Sequence, residues 1–371
     1  MKELFDIVRA YDGLVESGHP SALATVVGVT GSTYRRPGAR MLFSQDGRRA
    51  GLINAACLES DLSERARKVI HSGKPELVSY DTTSPDDIVF GLGLGCNGTV
   101  EILMEPGQCT ATVKKIAVLK EILTGNVPLV LATVVAAEGV QGIRVGDFVA
   151  SSSQKMLDGT MTDGPLRATM ESDCRSMRDV LFCQKSYKAG TTEVRVSFEI
   201  LHPPQPLVIV GAGPDAIPLV ESAKSLGWNV TVVDHRPAFA TKETVPGADA
   251  VVLSEPERMS EQVKVSRRTV AVIMTHNFDK DRKLLKMLLP SEARYVGLLG
   301  PKSKLQTLLQ NLEKEGFKPT KEQLAKLHAP IGLDIGAETP EEIAFSIISE
   351  IKAVLEGRSG GFLKERNGPI H

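Results

Sequence analysis

The sequence predicts an α/β protein in two parts: an N-terminal α+β half and a C-terminal doubly wound parallel sheet. Three observations lead there. A proline-rich break, Leu201-His202-Pro203-Pro204-Gln205-Pro206, divides the chain. After it, continuous apolar runs alternate with helix-like runs, as parallel strands buried on both faces and joined by helices require. Before it, short strand-like runs, tight turns and amphipathic stretches follow one another without that regular alternation. With 371 residues, 42% of them hydrophobic and 24% charged, the chain has the composition of two or three ordinary globular domains. The expected division is 1–200 (with lobes 1–107 and 108–200), a linker at 201–206, and 207–371.

In the first half, residues 1–17 read as an amphipathic helix. Strands follow at 22–29 and 39–44, with Asp46-Gly47 as a hairpin turn before 50–53. Residues 57–71 read as a helix ended near Gly73, then strands at 77–80 and 99–104. Residues 129–136 form a good strand, and glycine- and serine-rich turns lead to a last alternating strand at 193–200. No internal repeat is visible. In the second half, strands are expected at 207–210, 230–233, 250–253, 270–274 and 295–299. Helices are expected at 214–226, 282–289, 302–315 and 340–356. The last has a clear start: Thr339 can cap, Pro340 fits the first turn, and Glu341 and Glu342 suit the positive end of the helix dipole.

The first strand of the second half runs into Gly211-Ala212-Gly213-Pro214-Asp215-Ala216. This G-x-G-x-x-A between a strand and a helix is the phosphate loop of a Rossmann-like fold. Gly211 and Gly213 permit a tight turn and close backbone approach to a pyrophosphate. Asp234 ends the second strand, 23 positions after Gly211, where a carboxylate meets the ribose hydroxyls of NAD. Arg236 instead suits a 2′-phosphate, so NAD(P) is one candidate ligand. Asp215 places a negative charge beside the expected phosphate. His276 lies at the C-terminal end of a predicted strand, where open sheets bind ligands, and fits either a general acid–base or a plain loop hydrogen bond. Gly300-Pro301-Lys302-Ser303-Lys304 reads chiefly as a helix start.

Two loops of the first half carry further chemistry. Gly31-Ser32-Thr33-Tyr34-Arg35-Arg36-Pro37-Gly38 joins two apolar strands. Arg35 and Arg36 can clamp an anion, with backbone N–H groups near Gly31 and Ser32 adding a nest; a solvated surface loop is the plainer alternative. Cys57 opens a helix, a position that favours thiolate, although Glu59 and Asp61 oppose it. Cys96 sits in Gly91-Leu92-Gly93-Leu94-Gly95-Cys96-Asn97-Gly98, where Gly95 and its neighbours allow backbone to press against a ligand. Cys57 and Cys96 are candidate soft ligands for a metal or handlers of sulfur. Cys109 follows a Pro-Gly turn, and Cys174 and Cys183 read as buried packing cysteines.

Lys and Arg number 44 and Asp and Glu 45, a net charge of −1, which argues against a general nucleic-acid binder. No apolar run reaches the ~18 residues of a membrane span. Acidic Glu3 and Asp6 occupy the place of a signal peptide's cationic and apolar stretch, so a cytoplasmic location is expected. Five cysteines without a C-x-x-C pair argue against disulfides and a zinc ribbon. A homodimer is expected on general grounds.

Taken in order, these segments resemble the XdhC/CoxI family of xanthine dehydrogenase accessory proteins. The resemblance covers most of the chain. It rests on residues 31–41 (GSTYRRPGARM), Cys57-Leu58-Glu59-Ser60-Asp61, and Gly93-Leu94-Gly95-Cys96-Asn97-Gly98 with Glu101 and Pro106. In the second half it rests on Ile209-Val210-Gly211-Ala212-Gly213, Val233-Asp234-His235-Arg236, Thr275-His276-Asn277-Phe278-Asp279 and Pro330-Ile331-Gly332-Leu333-Asp334-Ile335-Gly336-Ala337. Tyr295-Val296-Gly297-Leu298-Leu299-Gly300 and Gly357-Arg358-Ser359-Gly360-Gly361 also match. Asn54-Ala55-Ala56 stands where the family has glycines, and Pro214, Asp215 and Ala216 stand where its loop reads His-x-Gly. The resemblance implies binding of the molybdenum cofactor (molybdopterin), protection of its sulfurated form, and delivery to an apo molybdenum hydroxylase such as xanthine dehydrogenase. A cysteine desulfurase would donate the sulfur. It implies a cofactor-insertion chaperone rather than a catalyst, although family members often carry the xanthine dehydrogenase label. The alternative is an NAD(P)-dependent oxidoreductase built on Gly211, Gly213, Asp234 and His276.

Overall fold

A computed structural model describes residues 1–31, 33–53, 58–81, 98–152, 156–177, 180–189 and 192–367. The chain forms two compact units, Met1 with Glu3–Pro204 and Lys2 with Gln205–His371.

In the N-terminal unit, α1 (Lys2–Glu16) leads into β1 (Ser21–Gly31), β2 (Arg40–Ser44) and β3 (Arg49–Gly51). Next come α2 (Glu59–Ser72), β4 (Glu76–Asp81) and β5 (Gly98–Pro106). These strands make an antiparallel sheet in the order β3-β2-β1-β5-β4. Then α3 (Thr110–Thr124) leads into β6 (Leu129–Ala136), β7 (Phe148–Ser152) and β8 (Met156–Gly159), followed by α4 (Pro165–Ser176), β9 (Phe182–Ala189) and β10 (Thr192–Leu201). Their antiparallel sheet has the order β8-β7-β6-β10-β9. Among the described residues, the two modules share one element order and one strand order.

The sequence suggests no internal repeat; the structure reveals one. Val26 pairs with Ile102 and Val134 with Val196, and each ladder slips at the next step. The N–H groups of Gly38 and Gly146 donate to the carbonyls of Val26 and Val134 at 2.8 and 2.9 Å. Both pairs of counterparts lie 108 residues apart. Side-chain divergence hides the relation. Arg40 stands opposite Thr25 where Phe148 stands opposite Thr133, and Glu101 and Arg195 hold equivalent register positions.

Both faces of the central strands are buried. Ala22, Ala24 and Val26 of β1 pack with Leu62, Ala66 and Val69 of α2. Val130, Ala132 and Val134 of β6 pack with Met170 and Cys174 of α4. The alternate residues Leu23, Leu129 and Leu131 share a core with Ile7 of α1 and Ile116 and Leu119 of α3, as the period-two geometry of strands dictates. Two ion pairs cross this layer: Arg40 with half-buried Glu199, and the buried pair of Lys115 with Glu105 at 2.7 Å. Gly38 and Gly146, at φ +92° and +91°, lie against Glu199 and Glu105 respectively, where a Cβ would strike the carboxylate.

Several elements depart from the sequence reading. α3 lacks a single apolar stripe because Thr112, Lys115, Ile116, Val118 and Leu119 are all buried around it. Strands β7, β8 and β9 and helix α4 replace the expected turns. Cys109 caps α3, its sulfur accepting the Thr112 N–H at 3.5 Å. Cys174 is buried, and burial pushes its thiol up to about 12. Cys183 is only half-buried, because β9 is an edge strand.

The C-terminal unit is a six-stranded parallel sheet. Its elements are β11 (Pro206–Val210), α5 (Ala216–Ser225), β12 (Asn229–Asp234), β13 (Ala250–Leu253), α6 (Met259–Gln262), β14 (Val270–Ile273) and α7 (Phe278–Leu288). Then follow β15 (Tyr295–Leu298), α8 (Lys302–Lys314), α9 (Lys321–Ala325), β16 (Leu327–His328) and α10 (Pro340–Leu355). The order is β13-β12-β11-β14-β15-β16, a doubly wound Rossmann sheet. Leu207 and Ile209 pack with α5 and α10 on one face, and Val208 and Val210 with α7 and α8 on the other. This explains the uninterrupted apolar run of β11. Thr339 and Glu342 form a full capping box on α10.

Candidate functional site

The N-terminal unit holds a cleft of about 850 Å³ beside the β1–β2 loop, lined in part by Glu3, Arg35, Arg36, Phe182 and Glu199. Its charges are mostly neutralised. Arg35 pairs with Glu3 of α1, whose other oxygen accepts the Leu52 N–H at 2.8 Å. Arg40, also at the cleft, forms a two-pronged pair with Glu199. Arg36 is exposed and makes no ion pair among the described residues. Arg35 therefore anchors the loop, and Arg36 is the cation it presents.

Gly31 ends β1 directly opposite Gly98, the first residue of β5. The arginine loop and the glycine-rich segment before Gly98 thus leave from one end of one sheet. Ser32, Cys57, Gly95 and Cys96 lie outside the described residues. Cys57 directly precedes Leu58, the N-cap of α2. The two nearby carboxylates expected to oppose a thiolate are themselves paired, Glu59 with Arg49 at 2.6 Å and Asp61 with Arg65 at 2.8 Å.

In the C-terminal unit, β11 and β14 are adjacent and the winding reverses between them, which makes their C-terminal ends the ligand crevice of such a sheet. Gly211 has φ +118°, and a Cβ there would lie 3.1 Å from the Thr275 Cα and closer still to the Met274 carbonyl. Only glycine lets the loop cross β14 this closely. Asp215 is the N-cap residue of α5, and its carboxylate folds back over Gly213, 2.6 Å from where a Cβ would stand. Its other oxygen lies 2.6 Å from His276 Nε2. His276 is 62% exposed and has φ +53°, a left-handed backbone that is uncommon outside glycine. Thr275 Oγ1 holds that turn, donating to buried Asp281 at 2.5 Å, while Lys304 pairs with the same carboxylate at 2.5 Å.

Asp234 is 2% exposed. Its Oδ2 accepts the Ala212 N–H at 2.7 Å, and both oxygens accept from Arg236, at 2.7 to 2.9 Å. Burial acts to raise its carboxyl, but these hydrogen bonds outweigh it and hold the group below the ordinary range. Arg236 lies over the Phe239 ring at 3.9 Å. Asp234 therefore clamps the glycine loop to Arg236, and its carboxylate is engaged inside the protein.

The structure thus gathers Gly31, Arg35 and Arg36 in one unit, and Gly211, Gly213, Asp234, Arg236 and His276 in the other. The sequence reading missed Glu3, Phe182 and Glu199 at the cleft. They are brought together from positions nearly 200 residues apart and carry no local signal. Among the described residues, no cluster of three or more His, Cys, Asp or Glu has metal-binding geometry, and no helix is long and apolar enough to cross a membrane.

Residues 14–81 match the family model for the XdhC and CoxI family, and residues 207–351 match that for the XdhC Rossmann domain. The chain is 32% identical over 340 residues to a probable xanthine dehydrogenase subunit of Bacillus subtilis, covering 92% of this chain and 94% of that one. It is 22% identical over 340 residues to the molybdenum cofactor insertion chaperone PaoD of Escherichia coli, covering 91% and 84% of the two chains. A crystal structure of a xanthine dehydrogenase from Bacillus halodurans aligns at TM-score 0.76 and 31% identity, covering 95% of this chain and 96% of the other.

Proposed function

The chain belongs to the XdhC and CoxI family, and from that premise we propose that it is an accessory protein that binds the molybdenum cofactor and delivers its sulfurated form to an apo molybdenum hydroxylase. The observation that carries this reading is the cleft of about 850 Å³ in which Arg36 has no anionic partner among the described residues. Such a volume suits a small-molecule cargo. An arginine without a carboxylate partner suits that cargo's phosphate, which it can grip with two parallel hydrogen bonds. Cys57 and Cys96 are the soft donors assigned to the metal or its transferable sulfur. A cysteine desulfurase is the class of enzyme that supplies the sulfur, and a hydroxylase such as xanthine dehydrogenase is the client. The insertion-chaperone relative supports the role.

An NAD(P)-dependent oxidoreductase finds less support. The Asp234 carboxylate is already bonded to Ala212 and Arg236, and the Asp215 carboxylate lies against Gly213 where a pyrophosphate would rest. Either group disfavours a dinucleotide, one by being engaged and the other by like charge.

The test is to mix the full chain with cofactor released anaerobically from a molybdoenzyme, desalt it, and measure protein-bound molybdenum and pterin. Near-stoichiometric retention is expected, falling in Cys57→Ser or Cys96→Ser with the circular dichroism unchanged. No retention by the wild-type protein overturns the carrier reading. Retention unchanged in both variants removes the two cysteines from the site.

A further inference from the structure

A second, smaller cleft of about 420 Å³ lies in the N-terminal unit, lined in part by Gly28, Thr30, Glu101, Phe182, Gln184 and Arg195. Glu101 and Arg195 are counterparts in the two repeated modules, and they bond to each other at 2.8 Å. Both ladders slip beside this cleft, at Val26/Gly28 and at Arg195/Val196. Such bulges re-aim side chains and are common beside binding sites. Gly28 has no side chain, and a Cβ there would lie 2.8 Å from Gln184 Nε2 and collide with Glu101. Gln184 Nε2 donates to the Val27 carbonyl at 2.6 Å and to Glu101 Oε2 at 3.0 Å. Its Oε1 accepts no hydrogen bond among the described residues, and each Glu101 oxygen keeps a lone pair.

The three side chains run in a fixed order, Gln184–Glu101–Arg195, and offer acceptor, acceptor, donor. A 2-amino-4-oxopyrimidine ring offers the complement along one edge: amino N–H, ring N–H and oxo group. We propose that this cleft reads the aminopyrimidinone edge of a pterin, with Gln184 and Glu101 accepting the two N–H groups and Arg195 donating to the oxo group. The proposal rests on the cofactor-carrier reading and adds the group that selects the cargo's ring. Phe182 and Val29 line both clefts, so the two adjoin; the ring is assigned to the smaller one and the phosphate to Arg36. Phe182 offers the ring an apolar face.

The test compares two fluorescent probes on the full chain: pterin, and lumazine, which carries a 2-oxo group where pterin has 2-amino. The wild-type protein should prefer pterin by about tenfold, the worth of one hydrogen bond. Gln184→Ala, which removes the acceptor for the 2-amino group, should abolish the preference, and Glu101→Gln, which keeps the side-chain shape, should weaken binding of both probes. Equal binding of the two probes by the wild-type protein overturns the assignment, as does a preference that survives in Gln184→Ala. The wild-type comparison needs no variant, so a misfolded mutant leaves the proposal decidable. Guanosine has the same edge on a different bicycle, and tighter binding of guanosine than of pterin also overturns the assignment. Cofactor retention with equal probe binding sinks only the ring assignment; a pterin preference without cofactor retention sinks only the carrier reading.

Discussion

Replacing Asp234 with alanine separates two roles for this carboxylate. In the structure it caps the N–H of fully buried Ala212 and receives Arg236 through side-chain and backbone donors. Leaving a buried N–H without an acceptor costs about 1–3 kcal/mol. The Arg236 side chain is 39% exposed, so its ion pair is screened and adds only about 0–1 kcal/mol. Asp234→Ala should therefore destabilise the C-terminal unit by about 1–4 kcal/mol, a fall of roughly 2–16 °C in Tm for a unit of this size. The effect carries a pH signature. The folded carboxyl is held below its ordinary value, so its stabilisation is present above the unfolded pKa of about 3.9 and is lost as pH falls through the folded pKa. Thermal and urea unfolding from pH 7 down to pH 3 should show the two proteins converging in acid. A loss under about 0.5 kcal/mol at pH 7, the scale of an ordinary surface substitution, would refute the clamp. If the variant instead stayed stable and lost NAD(P)H affinity, Asp234 would be a ribose acceptor.

Lys115→Met strands Glu105, 3% exposed at its side chain, without a counter-charge, and should cost about 3–5 kcal/mol by chemical denaturation; adding Glu105→Gln should recover most of it. Thr339→Ala removes the hydroxyl that accepts the Glu342 N–H in the α10 capping box, and should cost about 1 kcal/mol in a thermal melt. Arg36→Ala should leave stability within about 0.5 kcal/mol, since the side chain is exposed. It should weaken cofactor retention about tenfold or more, the worth of a charge-assisted hydrogen bond to phosphate; undiminished retention would place the phosphate elsewhere.

The Rossmann half was legible because its signals are local. Pro206–Val210 is apolar throughout since both faces are covered, Gly211 is required within one residue of the strand's end, and Thr339 caps the helix that begins beside it. Periodicity, capping and turn chemistry act over a few residues and survive in the sequence. The repeat in the N-terminal unit did not survive there, because backbone ladders conserve register while side chains such as Arg40 and Phe148 diverge. The same limit applies to the sites. The sequence by itself determined which loops carry arginine, glycine and cysteine, and that the C-terminal half is a parallel sheet whose first strand turns at Gly211. Only the tertiary structure decided which of those groups are engaged. Asp215 meets His276 across 61 residues, Arg40 meets Glu199 across 159, and Gln184 meets Glu101 across 83. Such partners are chosen by chain closure and packing, which no short window of sequence contains.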